Sequence, residues 1–162
     1  MILEAASNRY KFMQEKKLFK VVITAIVVKD NRYLILQRSG SEKKFPLRWT
    51  VPGGKLTTED YINLEKDTPY YWYNVLERTL RREVKEEAGI EIQNIKRHMF
   101  FDEVHEKKGE MVYHIFLNFT ASYASGETRA GDDLEIVEWI EKERLGELDM
   151  ADITKNFLNK LN

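Results

Sequence analysis

Arg82-Glu83-Val84-Lys85-Glu86-Glu87-Ala88-Gly89-Ile90 is the stretch whose reading decides how this chain folds. Leu76, Leu80, Val84 and Ala88 recur at four-residue steps, the apolar stripe of an amphipathic helix. Gly89 stands where a glycine ends such a helix, and Thr68-Pro69 or Asn74 would cap its start. The last turns carry three carboxylates. On a helical wheel Glu83 and Glu87 lie roughly 40° apart and Glu86 roughly 60° from Glu83, one acidic flank beside the apolar stripe. Local electrostatics oppose that placement. Anions near a helix C-terminus face the negative end of the macrodipole, and Glu83 and Glu87 repel at i,i+4, by roughly 0.2–0.5 kcal/mol for the pair. A hard divalent cation would offset these terms, because Mg²⁺ is held by one or two carboxylates together with substrate phosphates. The competing interpretation is a solvated charged face in which Arg82 and Glu86 form an i,i+4 pair.

On either side of this helix the chain reads as strands. Val21 to Val28 is β-branched and nearly continuous, as in a strand buried on both faces. Asp30-Asn31 supplies a turn and Tyr33 to Arg38 a hairpin partner. Trp49-Thr50-Val51 is a short strand that Pro52-Gly53-Gly54 is expected to terminate. Beyond Gly89, Ile90–Ile95 and Arg97–Val104 read as strand material, and Met111–Tyr123 pairs back through Lys107-Lys108-Gly109. Leu134–Ile140 is a further strand, Glu141–Leu145 a short helical turn, and Ile153, Phe157 and Leu161 define a closing helix from Asp152. Strands, one central helix, more strands and a terminal helix make an α+β sandwich. Residues 1–17 form an N-terminal arm of no clear period, and 18–162 a single domain.

Composition narrows the partners. A chain of 162 residues with 33% charged and 43% hydrophobic residues fits one soluble domain with a real core. The formal net charge of −1 gives no basic footprint, so no nucleic-acid polymer is expected as partner. No stretch approaches a membrane span and the N-terminus lacks a signal-peptide core. The absence of cysteine excludes disulfides, thiolate metal sites and thiol nucleophiles, and a cytoplasmic location is expected.

These residues resemble the Nudix hydrolases, whose signature is G-x(5)-E-x(7)-R-E-U-x-E-E-x-G-U with U a bulky aliphatic residue. Gly54, Arg82, Glu83, Val84, Glu86, Glu87, Gly89 and Ile90 match it. Trp49-Thr50-Val51-Pro52-Gly53-Gly54 looks like the W-x-x-P-G-G lead-in of MutT-like members. The resemblance covers roughly residues 20–162 and implies an α/β/α sandwich: a mixed central sheet between a catalytic helix and a C-terminal helix. One departure stands out. Counted forward from Gly54, the signature's first glutamate falls on Asp60; counted backward from Arg82, it falls on Asn74. The signature loop therefore carries an insertion of 14 residues, and Asp60, Glu59 and Glu65 are the candidates for the missing acid.

The resemblance implies the chemistry as well. Glu83, Glu86 and Glu87 would bind Mg²⁺, or Mn²⁺ in its place, with the Gly53 carbonyl as a further ligand. Arg82 would orient a glutamate, and Gly53 and Gly54 would bring the backbone close to the substrate. Asp133 is the first choice for general base, with Asp132 and Glu135 as alternatives. Arg38 is a candidate phosphate contact or a surface salt bridge. Trp72, in the aromatic run Tyr70-Tyr71-Trp72-Tyr73, either stacks on a base or anchors the insertion. His98, His105 and His114 have no ligand spacing. The implied activity is hydrolysis of a diphosphate linkage in a nucleoside diphosphate derivative, with nucleoside triphosphates first. Dinucleoside polyphosphates and nucleotide sugars such as ADP-ribose stay open, although His105 stands where many ADP-ribose enzymes carry proline. A non-catalytic nucleotide-binding module is the competitor from another class, disfavoured by retention of all three glutamates. The isoprenoid isomerase branch needs a cysteine that is missing here. A homodimer stays open, since relatives often pair.

Overall fold

The computed structural model describes residues 19–161, so the N-terminal arm expected at 1–17 lies outside the described residues. The elements run β1 (Lys20–Lys29), β2 (Arg32–Arg38), β3 (Trp49–Thr50), β4 (Gly53–Lys55), α1 (Val75–Ala88), β5 (Glu91–Lys107), β6 (Glu110–Ser125), β7 (Leu134–Glu141) and α2 (Asp152–Leu158), with single 3₁₀ turns at Thr58–Asp60 and Lys142–Glu147. The sheet order is β3-β2-β1-β6-β5, with β4 added on β1 and β7 on β2. Only β1 and β6 run parallel among these pairs. The sheet is mixed, as expected of this α/β/α sandwich.

The continuous apolar run of β1 is explained by two cores on opposite faces. Ile23, Ala25 and Val27 point to one side and pack with Leu34, Leu36, Leu80, Val84 and Ala88. Ile26 points to the other and packs with Tyr33, Ile35, Met150, Phe157 and Leu158. The period-2 alternation of a strand thus feeds α1 on one face and α2 on the other. The helix stripe read from sequence is the buried face of α1, where Leu80, Val84 and Ala88 are fully buried. Leu161 lies past the end of α2 but still packs against the second core.

Turn chemistry accounts for the hairpins. Asp30 and Asn31 both adopt positive φ, and so do Lys108 and Gly109, the backbone of two-residue turns that match strand twist. The β1–β2 pairing extends only from Lys29↔Arg32 to Val28↔Tyr33. The strands then diverge, β2 towards β7 and β3, and the freed edge of β1 takes the chain at Pro52 to Lys55 instead. Ala25 N–H donates to Pro52 O at 2.9 Å, and Thr24, Ile23 and Val22 pair with Gly53, Gly54 and Lys55. Pro52-Gly53-Gly54 therefore ends β3 and also opens β4. The two stretches read separately on either side of Lys96 are one strand, β5, with register shifts that include Asn94 at positive φ. Asn94's short polar side chain tolerates that conformation, so the ladder bends without breaking. Asn74 does hold the N-cap position of α1, but in a left-handed conformation and without a side-chain capping bond.

Leu80→Ala should lower stability by about 2–5 kcal/mol in urea unfolding, since it opens a cavity under α1 at a fully buried position. A loss under about 1 kcal/mol would mean that α1 is not held by this face.

Candidate active site

The site is built where β4 meets α1. Gly53 has φ +149, and a Cβ there would lie 2.2 Å from Ile23 O, inside the β1 backbone. A Cβ on Gly54 would lie 2.2 Å from a Glu83 carboxylate oxygen. Gly53 must be glycine to approach the β1 backbone, and at Gly54 the space a Cβ would take is held by the carboxylate itself. Gly53 N–H donates to Glu87 Oε2 at 2.8 Å, so strand and helix are joined through the acidic flank.

Arg82 holds the other carboxylates. Its Nε donates to Asp60 Oδ1 at 2.8 Å, Nη1 to Glu86 Oε2 at 2.8 Å, and Nη2 to Glu83 Oε1 at 2.8 Å. The Asp60 side chain is only 3% exposed and also accepts from Thr57 N–H at 2.8 Å. Asp60, reached by counting forward from Gly54, meets the arginine reached by counting backward, and the insertion loops out between them. Of the acids left open, Asp60 is the one tied to Arg82; Glu59 is exposed at the same turn.

Titration follows from this packing. Burial pushes the Glu87 carboxyl up to about 8, against the Gly53 N–H and the Arg38 charge, while Glu83 and Glu86 add to the rise. Burial raises Glu83 as well, opposed by its bonds to Arg82. For Asp60 the effect of burial is outweighed by the Thr57 amide and by Arg82, and its carboxyl lies below the ordinary range.

The end of α1 is closed by the loop before β7. Arg129 N–H donates to Ala88 O at 3.1 Å and Gly131 N–H to Glu87 O at 3.0 Å, satisfying carbonyls that a helix end leaves open. A Cβ on Gly131 would lie 2.7 Å from Glu86 O, so the loop needs glycine to seat there. This closure brings Asp132 and Asp133 to a cavity of about 520 Å³ that Glu83, Glu86 and Glu87 also line. A second cavity, of about 770 Å³, opens on the insertion side, where Lys55, Leu64 and Arg78 face the cleft with Glu83 and Glu87. Sequence reading did not single out Lys55, Arg78 or Arg129, because only tertiary contact brings them there.

The remaining candidates are placed as follows. Arg38 is half-buried, donating to Glu42 Oε2 at 2.6 Å and to Lys44 O at 3.0 Å, and its charge reaches Glu87. Trp72 donates its indole N–H to Leu64 O at 3.0 Å and sits edge-on to Tyr61, with Lys66 Nζ 4.8 Å from the ring centre. These contacts are internal to the insertion. Thr68 also serves it, its hydroxyl accepting from Tyr71 N–H at 2.9 Å rather than capping α1. Glu135 accepts from Gly40 N–H at 3.1 Å, and Asp133 O accepts from Ser39 N–H at 3.0 Å, fastening β7's start to the loop after β2.

Among the described residues no three acidic or histidine groups stand ready as a cation cage, because Arg82 engages Glu83 and Glu86, and Gly53 engages Glu87. The donor set nevertheless fits a hard divalent ion: three carboxylates on one flank, two of them partly buried, with Glu86 raising the proton affinity of Glu83, and Glu83 and Glu86 raising that of Glu87. A cation there would replace those protons.

The NUDIX domain family model matches residues 18–161, and the chain belongs to that family of hydrolases acting on pyrophosphate bonds, which generally use divalent metal ions. The nucleoside triphosphatase NudI of Enterobacter sp. (strain 638) is 24% identical over 143 residues, covering 84% of this chain and 92% of that protein. The crystal structure of the MutT NUDIX hydrolase from Burkholderia pseudomallei superposes with a TM-score of 0.68 at 23% identity, over 90% of this chain and all of the other. The NUDIX domain of Shewanella oneidensis NrtR, solved with ADP ribose, superposes at 0.67 with 15% identity, over 93% of this chain and 94% of that one.

Glu87's raised pKa sets a pH dependence for the metal-free protein. Between the ordinary 4.5 and about 8 the folded state binds more protons than the unfolded one. Thermal unfolding in chelator should therefore show stability falling as pH rises through that window. Glu87→Gln should flatten the curve, and an equally steep fall in that variant would contradict the assignment.

Proposed function

We propose that this chain is a Mg²⁺-dependent pyrophosphohydrolase whose first substrates are nucleoside triphosphates. The observation that carries the reading is the partly buried carboxylate pair, Glu83 and Glu87, lying under the Gly53-Gly54 backbone and opening to a cavity on either side. Such a pair is costly unless a cation and a phosphate chain complete it. The likeness to nucleoside triphosphatase NudI supports the substrate class.

In this reading Glu83, Glu86 and Glu87 hold the ion, with the Gly53 carbonyl as a further donor. When bound, the ion supplies neutralisation of diphosphate charge and activation of a water for in-line attack on phosphorus. Arg82 is a positioning residue. Its guanidinium keeps Glu83 and Glu86 on one flank and is itself fixed by buried Asp60. Asp133, in the cavity shared with the glutamates, takes the water's proton as general base. Arg38 meets phosphate charge in this reading, supported by the reach of its charge to Glu87. Gly54, without a side chain, leaves room for the Glu83 carboxylate against the backbone. Trp72 acts through the insertion it anchors.

The test is a panel of nucleoside triphosphates, dinucleoside polyphosphates and ADP-ribose assayed with Mg²⁺. Wild type should release a nucleoside monophosphate and pyrophosphate from a triphosphate. Glu87→Gln should stay folded and lose at least about 100-fold in kcat, as expected when charge stabilisation at the reacting group is removed. No turnover of any panel member by well-folded wild type would favour a nucleotide-binding module instead.

A further inference from the structure

We infer that Lys55 and Arg78 form an anion subsite for the terminal phosphates of a polyphosphate substrate, on the side of the acidic flank that the insertion walls off. This rests on the hydrolase reading of the same cleft and extends it to where the substrate's distal charge lies. The cleft geometry points that way. Glu83 and Glu87 line both cavities, so a phosphate chain lying over them runs from one into the other. The two sides differ in charge. The cavity beside the β7 loop presents Asp132 and Asp133 with Arg129, which suits a proton acceptor and repels further anions. The insertion side presents Lys55 and Arg78 across Thr57 and Leu64, together with Arg82.

Arg82's guanidinium is already committed to Asp60, Glu83 and Glu86. Arg78, one turn earlier on α1, is not. Its recorded partner is Asp67 of the insertion, at 3.7 Å, a long pair on a guanidinium nearly half exposed. Asp67 is itself held, its Oδ2 accepting from Tyr73 N–H at 2.8 Å. The insertion thus aims Arg78 without saturating it, and a guanidinium has donors to spare for phosphate oxygens. Lys55 follows directly on the Gly53-Gly54 pair that approaches Glu83 and Glu87, so a cation on β4 opposes a cation on α1. Thr79 reinforces the site: it lines the cavity, is 1% exposed, and its hydroxyl has no protein partner among the described residues. Besides Glu83 and Glu87, two acids line this cavity; Asp60 is already held by Arg82, and Glu59 is the contrary charge. Glu59, exposed on the 3₁₀ turn, faces the same cavity and works against an anion there.

That opposition makes the test two-sided. Inorganic pyrophosphate is titrated calorimetrically into the full chain in Mg²⁺ buffer, with folding checked by circular dichroism. Lys55→Gln and Arg78→Gln should each weaken binding about tenfold, Arg78→Lys less, and Glu59→Gln should tighten it. Asp67→Asn, which frees Arg78 from its aim, should weaken binding a few-fold. Unchanged affinity in both Lys55→Gln and Arg78→Gln, or no pyrophosphate binding by wild type, overturns the subsite. Kinetics separate it from the parent reading. In Lys55→Gln and Arg78→Gln, KM should rise for a nucleoside triphosphate, with kcat and the KM for ADP-ribose nearly unchanged. An equal rise for both substrates also overturns it. No turnover of any nucleotide by well-folded wild type would instead sink the hydrolase reading, while pyrophosphate binding that still depends on Lys55 and Arg78 would leave the subsite standing.

Discussion

One guanidinium, that of Arg82, is shared by three carboxylates, and the site depends on that sharing. Asp60 is almost fully enclosed and Glu83 mostly so, and neither charge could be carried there alone. A partly exposed arginine between them keeps its own charge, because Asp60 and Glu83 more than offset what burial takes away. Its planar fork serves several oxygens at fixed angles, which an ammonium would not do. The result is a flank of acids held at the end of a helix despite the macrodipole. Glu87 alone is left to a backbone amide, and it is the acid whose proton affinity rises most.

The fold exists around this flank in a simple way. β1 supplies alternating residues to two cores, so one face fixes α1 and the other fixes α2. The divergence of β1 and β2 after a two-residue turn frees an edge, and the Pro52-Gly53-Gly54 backbone takes it. Gly53 permits contact with β1, Gly54 permits contact with Glu83, and Gly131 lets the β7 loop close the helix end. Three glycines thus let three separate segments converge on one turn of helix. Each closes a gap that any side chain would hold open.

Much of this was legible in the residues. The four-step stripe of α1, the continuous apolar β1 and the alternation in β6 follow from periodicity, which reports burial directly. The acidic flank and the glycine stop were equally plain, because they violate a local preference. The bulged continuity of β5 was not, since the break at Asn94–Lys96 looks like a boundary when the partner strand is unknown. The double use of Pro52-Gly53-Gly54 was hidden for the same reason: an end and a beginning look alike without the free edge of β1. At the site, Asp60 lay within reach of simple counting, but only its contact with Arg82 separates it from Glu59 and Glu65. Lys55, Arg78 and Arg129 carry no local signature. Trp72 stood out as an aromatic, and its recorded contacts are with the insertion that contains it.

The central claim is that the partly buried Glu83 and Glu87 are completed by a divalent cation. Electron paramagnetic resonance of Mn²⁺, titrated into the full chain with and without a non-hydrolysable nucleotide, addresses it directly. The account predicts saturable binding that tightens with nucleotide and disappears in the Glu83→Gln, Glu87→Gln double variant. Mn²⁺ that stays free in wild type, or binds equally well to the double variant, would contradict it.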